Sequence, residues 1–140
     1  MQVSPINNTN FSGKLKKTPS LYSLIKNSDR DTLIKFSDVI KRAHKVNDGK
    51  IFSIGSTIDY TTSNINGNHL HEYFIKQESR QNTKLIHSYS FLENPFDSSE
   101  KLTENYSSAL NSFINKLKEI YPEKPRSKKE IISEIEKHLV

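Results

Sequence analysis

In this 140-residue chain the residues best suited to chemistry are histidines and carboxylates, and their spacing decides what is open to them. His69 and His71 are two apart, so on an extended strand they project to one face, an arrangement that can hold zinc. His87 joins them only from a neighbouring strand, and no carboxylate shares that face to orient the imidazoles. They read as edge or half-buried histidines, and no metal ligand is nominated. Asp59 and Glu72 could work as an acid–base pair near Lys76. All three are expected on the wet side of a sheet, where carboxylates beside lysine are solvated charges without displaced pKa values. Nineteen serines include none in a Gly-x-Ser-x-Gly elbow. Four glycines, scattered from Gly13 to Gly67, form neither a P-loop nor a Gly-x-Gly-x-x-Gly turn. With no cysteine there is no disulfide framework and no thiolate metal site. No catalytic residue and no cofactor follows from these patterns, and the chain reads as non-enzymatic.

The elements that must position these residues are legible from periodicity. Thr18-Pro19 reads as an N-cap followed by Pro at the first helical position, with Leu21, Leu24 and Ile25 as the apolar face and Asn27-Ser28 as the end. Ser28-Asp29-Arg30-Asp31 has the spacing of a capping box. Leu33, Phe36, Val39, Ile40, Ala43 and Val46 then mark an amphipathic helix, stopped by Asn47-Asp48-Gly49 with Gly49 at the left-handed C′ position. After Gly49 the apolar period changes to two. Asn66-Gly67 predicts a type I′ hairpin, which sets Ile58 opposite Ile75 and Tyr60 opposite Tyr73. A second turn near Arg80-Gln81-Asn82 sets Tyr73 opposite Tyr89, Ile75 opposite His87 and His71 opposite Phe91. These registers place Ile54, Ile58, Tyr60, Tyr73, Ile75, Leu85, Tyr89 and Phe91 on the buried face of a three-stranded antiparallel β-meander.

Asp97-Ser98-Ser99-Glu100 opens a long helix whose stripe of Leu102, Tyr106, Ala109, Leu110, Phe113, Ile114, Leu117 and Tyr121 suits it as the lid of that face. Pro122 and Pro125 bracket a linker, and Ser127-Lys128-Lys129-Glu130 caps a last helix with Ile131, Ile132, Ile135 and Leu139 on one side. The fold class is α+β: N-terminal helices, an antiparallel meander, and C-terminal helices packed on the sheet, in the order α-α-β-β-β-α-α. Residues 1–17 read as a disordered basic leader, 18–121 as one α+β domain, and 122–140 as a linker and short helix.

The tyrosines Tyr60, Tyr73 and Tyr89 would form a row across the sheet. Such rings can stack on RNA bases, but this row shares its face with isoleucines and leucine, which is core composition. The opposite face carries Thr57, Asp59, Glu72, Lys76, Ser88 and Ser90, relieved by Leu70, Phe74, Ile86 and Leu92. Those four are the candidate partner-binding patch, unless the last helix covers them. The partner expected is another protein or a second copy, meeting this face or an edge strand able to accept an added strand.

Lys and Arg number 21 against 16 Asp and Glu, and the excess sits in the leader, because Ser28–Tyr121 carries 12 of each sign. Polyanion contacts would therefore come from Lys14, Lys16 and Lys17 at one end and Lys124, Arg126, Lys128 and Lys129 at the other. Lys (17) and Asn (13) are abundant while Arg (4) is scarce, as an A/T-rich genome would encode, so the basicity has a source besides selection for nucleic acid. Nucleic-acid binding through these tails is the second reading. Leu, Ile, Val and Phe total about 26% of residues, above the level of a disordered chain, although mean hydropathy is −0.71. No apolar run approaches a membrane span or a signal peptide, so no membrane partner and a cytoplasmic location are expected.

Two resemblances accompany this reading. The string Ile6-Asn7-Asn8-Thr9-Asn10-Phe11-Ser12-Gly13-Lys14 is similar to a short leader of small bacterial proteins, and implies no activity. The order α-β-β-β-α over Ser28–Tyr121 is similar to the double-stranded-RNA-binding domain. That family carries Gly-Pro-x-His between its first two strands and a lysine cluster opening its last helix. Here Asn64-Ile65-Asn66-Gly67-Asn68-His69 offers only His69 to the first motif, and Asp97-Ser98-Ser99-Glu100-Lys101 is acidic where the second is basic. The family's phosphate-clamping residues therefore do not carry over.

Overall fold

A side-chain oxygen stands ready at the start of each described helix in the computed structural model, which describes residues 14–59, 67–79 and 81–140. Thr18 caps α1 (Pro19–Asn27), accepting from the Leu21 N–H at 3.1 Å. Asp29 caps α2 (Arg30–His44), accepting from the Thr32 N–H at 2.8 Å. That is one residue later than the expected Ser28 cap. Ser28 instead donates its hydroxyl proton to the Leu24 carbonyl and closes α1. The helix also ends earlier than its apolar period suggested: Lys45 is the C-cap, Val46 is exposed, and the positive φ of Gly49 serves the turn into the sheet. Ser98, rather than Asp97, caps α3 (Ser99–Ile120), and Ser127 with Glu130 forms the expected capping box of α4 (Lys128–Glu136).

The strands β1 (Ile51–Asp59), β2 (His69–Glu78) and β3 (Thr83–Glu93) form one antiparallel sheet in the order β1-β2-β3, so the chain is α+β with the expected element order. The β1–β2 register differs from the hairpin expectation by four residues: Ile54 faces Ile75, Ser56 faces Tyr73, and Ile58 faces His71. A four-residue shift is even, so every side chain keeps its expected face while its cross-strand neighbour changes. Asn66 and Tyr60 lie outside the described residues.

The β2–β3 pairs Tyr73↔Tyr89, Ile75↔His87 and His71↔Phe91 are those expected. Between Ile75 and Lys76 the register slips by one, so Lys76 pairs with Leu85 and Ile86 becomes the extra residue of a bulge. That slip corrects two side chains. Leu85, expected in the core, is exposed, and Ile86, expected outside, packs against the core.

The core lies on one side of the sheet. Phe52, Ile54, Tyr73 and Ile75 meet Tyr106, Ala109, Leu110, Phe113, Ile114 and Leu117 of α3, with α1 set against β1 and α2 packed on α3. Ile58 was expected here too, but it is 40% exposed beyond the end of the helical cover.

Residues 14–17 of the expected leader belong to the fold, whereas residues 1–13, including Ile6 to Gly13 of the leader string, lie outside the described residues. Leu15 forms a parallel bridge to Phe52: the Phe52 N–H donates to the Lys14 carbonyl (2.7 Å) and the Lys16 N–H to the Phe52 carbonyl (2.9 Å). The Thr18 hydroxyl adds a bond to the Ile54 carbonyl at 2.6 Å. The backbone edge of β1 is thereby partly covered by the chain itself, a defence against unwanted strand pairing.

The corrected register makes a contrast. Ile54→Ala should cost about 3 kcal/mol, a typical loss for a fully buried isoleucine, whereas Ile58→Ala should cost well under about 1 kcal/mol. Urea unfolding of the two variants measures both, and equal losses would contradict the register.

Candidate functional site

The outer face of the sheet is built by alternation. Side chains of β2 that do not enter the core are Leu70, Glu72, Phe74, Lys76 and Glu78, and in the observed register Leu70 pairs with Leu92 and Phe74 with Gly55. Phe74 lies flat because Gly55 has no side chain: a Cβ there would stand 2.5 Å from the Phe74 ring. The Lys76 ammonium sits 4.9 Å from the centroid of the same ring. Leu92 is 52% exposed. Of the four residues nominated from sequence, Leu70, Phe74 and Leu92 share this face. Ile86 does not, and Leu85 takes its place through the bulge.

Nothing in α4 covers the face. None of its residues is buried, and Ile131, Ile132, Ile135 and Leu139 are all exposed. The tail therefore presents an apolar stripe that no other helix or strand among the described residues buries.

The nominated cations divide into two groups. Lys14 pairs with Asp48, Lys16 donates to Glu78 at 2.6 Å, and Arg126 pairs with Glu134. Lys17, Lys124, Lys128 and Lys129 are exposed. The first pair is structural. Partial burial pushes the Asp48 carboxyl up, but bonds from the Lys14 ammonium, the Lys50 backbone N–H and the Tyr121 hydroxyl (2.8 Å) outweigh it and hold the pKa at about 2. Asp48 thus joins the N-terminal segment to the end of α3.

The remaining chemistry is dispersed. Asp59 pairs with Leu70 and Glu72 with Thr57, so the two carboxylates are diagonal neighbours on the open face. Among the described residues no three His, Asp or Glu side chains converge as metal ligands. His87 meets Ser112 through Nε2, beside a groove of about 520 Å³ between β3 and α3. Tyr73 is buried, its hydroxyl bonded to Ser23 at 3.0 Å, so it belongs to the core and presents no ring for base stacking. Where the RNA-binding resemblance would need cations, at the start of α3, the surface is lined by Asp29, Glu100 and Glu104.

His71 is the one buried histidine among the described residues. Tyr73, Phe91 and Tyr106 surround its ring at centroid distances of 4.6, 5.3 and 5.9 Å. Its Nδ1 is 3.4 Å from a Glu93 carboxylate oxygen without hydrogen-bond alignment, and the Tyr106 hydroxyl donates to the other oxygen at 3.0 Å. Burial lowers the His71 pKa below its ordinary 6.5, and the Glu93 charge opposes that shift without reversing it. Sequence spacing grouped His71 with His69 as edge or half-buried histidines; the α3 rings packed over the sheet bury His71 fully.

A pH dependence follows with a definite sign. The unfolded chain takes up a proton at this histidine more readily than the native state. The contribution of neutral His71 is therefore complete above about pH 6.5 and is lost as pH falls below that value toward the lower native pKa. The urea midpoint should decline between about pH 7.5 and pH 5.5, and His71→Gln should flatten that decline. An unchanged slope in the variant would assign the effect elsewhere.

Comparison of the chain with known protein families and with characterised proteins returns no match.

Proposed function

We propose that this chain is a non-enzymatic protein-interaction module whose outer sheet face receives α4 of a second copy. The observation that carries the reading is that one chain bears two apolar surfaces open to solvent: exposed Leu85 and Leu92 on the sheet, with half-buried Leu70 and Phe74 beside them, and Ile131, Ile132, Ile135 and Leu139 on and just beyond the helix. Their sizes agree. A nine-residue helix is about 13 Å long, and three strands span about 10 Å.

Helix physics favours the same reading. Isolated helices shorter than about 12–15 residues are marginal in water, so α4 gains most of its stability from whatever covers its apolar side. The other reading, polyanion binding through the terminal cations, has less support, because Lys14, Lys16 and Arg126 already answer carboxylates.

Sedimentation velocity between about 10 and 500 µM tests this, with circular dichroism as a check on folding. The full chain should self-associate. Phe74→Ser/Leu92→Ser and Ile132→Ser/Ile135→Ser should each weaken association at least about 30-fold, the loss expected from removing roughly 2 kcal/mol of apolar contact. A monomeric full chain, or association indifferent to either pair, would refute the proposal.

A further inference from the structure

At the C-terminal ends of α2 and α3 a cleft of about 580 Å³ collects cations from both helices. Lys35, Lys41, Arg42 and Lys45 reach it from α2 and Lys118 from α3. Asp38 and Glu123 also line it, yet no ion pair engages any of the five cations among the described residues. Arg42 is anchored: its Nε donates to the Tyr121 carbonyl at 3.3 Å, which leaves its terminal nitrogens unbonded within the described chain.

Two helix C-termini end here, and cations at such positions have an ordinary explanation in the helix dipole. The magnitudes separate the two accounts. Each C-terminus carries about half a negative charge. Those ends and the two carboxylates together leave about two positive charges unbalanced. The dipole therefore accounts for part of the cluster and not for all of it.

We infer that this cleft binds a compact anion carrying several contiguous phosphates. The volume falls in the usual range for small-ligand sites, about 300–1,000 Å³. Four of the five cations are lysines, compact point charges suited to phosphate oxygens, and Arg42 supplies the planar fork that grips one phosphate with two bonds. Lys35 and Lys45 stand about 15 Å apart along α2, a row too long for one phosphate. No aromatic ring lines the cleft, so it has no means of stacking a base, and recognition stops at the phosphates. The acidic surface at the opposite ends of the same two helices, with Asp29, Glu100 and Glu104, denies a long duplex a continuous positive track.

Calorimetric titration of sodium tripolyphosphate into the full chain, with amide chemical-shift mapping, is the test. Binding should saturate at one site and weaken at least about tenfold between roughly 50 and 200 mM salt. The shifts should concentrate in Lys35–Lys45 and Lys118–Glu123. Lys41→Gln/Lys45→Gln should reduce affinity about tenfold or more, while Lys128→Gln/Lys129→Gln leaves it unchanged. Orthophosphate should bind at least about tenfold more weakly than tripolyphosphate, and ATP no more tightly. The inference is overturned if binding never saturates, if Lys41→Gln/Lys45→Gln has no effect, or if the Lys128/Lys129 variant loses as much. It is equally overturned if duplex RNA binds more tightly, with shifts spread over Lys14–Lys17 and Lys124–Lys129.

Discussion

The buried stripe of α3 is the contact on which the rest of this molecule depends. Tyr106, Ala109, Leu110, Phe113, Ile114 and Leu117 close the inner face of the sheet and also supply the surface against which α2 packs. Polar bonds then fix how the two helices lie. The Asp29 N–H donates to Ser107 (2.8 Å), the Asn111 amide donates to Thr32 (3.0 Å), and Arg42 reaches the Tyr121 carbonyl (3.3 Å). Residue numbers rise together along this series, so α2 and α3 run parallel. The buried hydroxyl of Ser107, which an apolar lid would not need, holds the capping residue of α2 in place.

Parallel helices have an electrostatic consequence. Both sets of unsatisfied N–H groups gather at one pole and both sets of carbonyls at the other. The side chains answer in kind, with Asp29, Glu100 and Glu104 at the first pole and Lys41, Arg42, Lys45 and Lys118 at the second. A segment with equal numbers of acids and bases is thus neutral in sum and strongly dipolar in space. The cleft belongs to that dipole, with more positive charge than the helix ends balance.

What was legible in the sequence follows from which physical rule was local. Face assignments survived because alternation along a strand depends only on that strand, and the four-residue register difference is even. Cross-strand neighbours did not survive, since they depend on a turn, and the observed β1–β2 pairing does not follow from a two-residue Asn66-Gly67 loop. The exchange of Leu85 and Ile86 arises from a bulge at Ile75/Lys76, in a stretch with no glycine or proline to announce it. The α2 cap moved by one because Ser28 and Asp29 are both capping types, and only Ser107, 78 residues away from Asp29, decides between them. Three of the four patch residues were readable for the same reason as the faces. The cleft was hidden because charge was summed over the whole of Ser28–Tyr121, where the local run of Lys41, Arg42 and Lys45 cancels against distant acids; Lys35 shares their side of α2, and Lys118 arrives from another element.

The outer face is organised within the chain itself. Phe74 crosses β1 where Gly55 leaves room, so its ring is already ordered and little conformational entropy remains for binding to remove. Leu70 and Leu92 are held opposite one another by the β2–β3 ladder, which fixes their spacing through the backbone. The helix α4 is the opposite case, a short element with no buried residue, whose ordering must be supplied by contact. Association between the two would therefore be limited by the helix rather than the sheet. Changes that raise the intrinsic helicity of α4, and leave its apolar stripe alone, would strengthen docking without adding a single new contact.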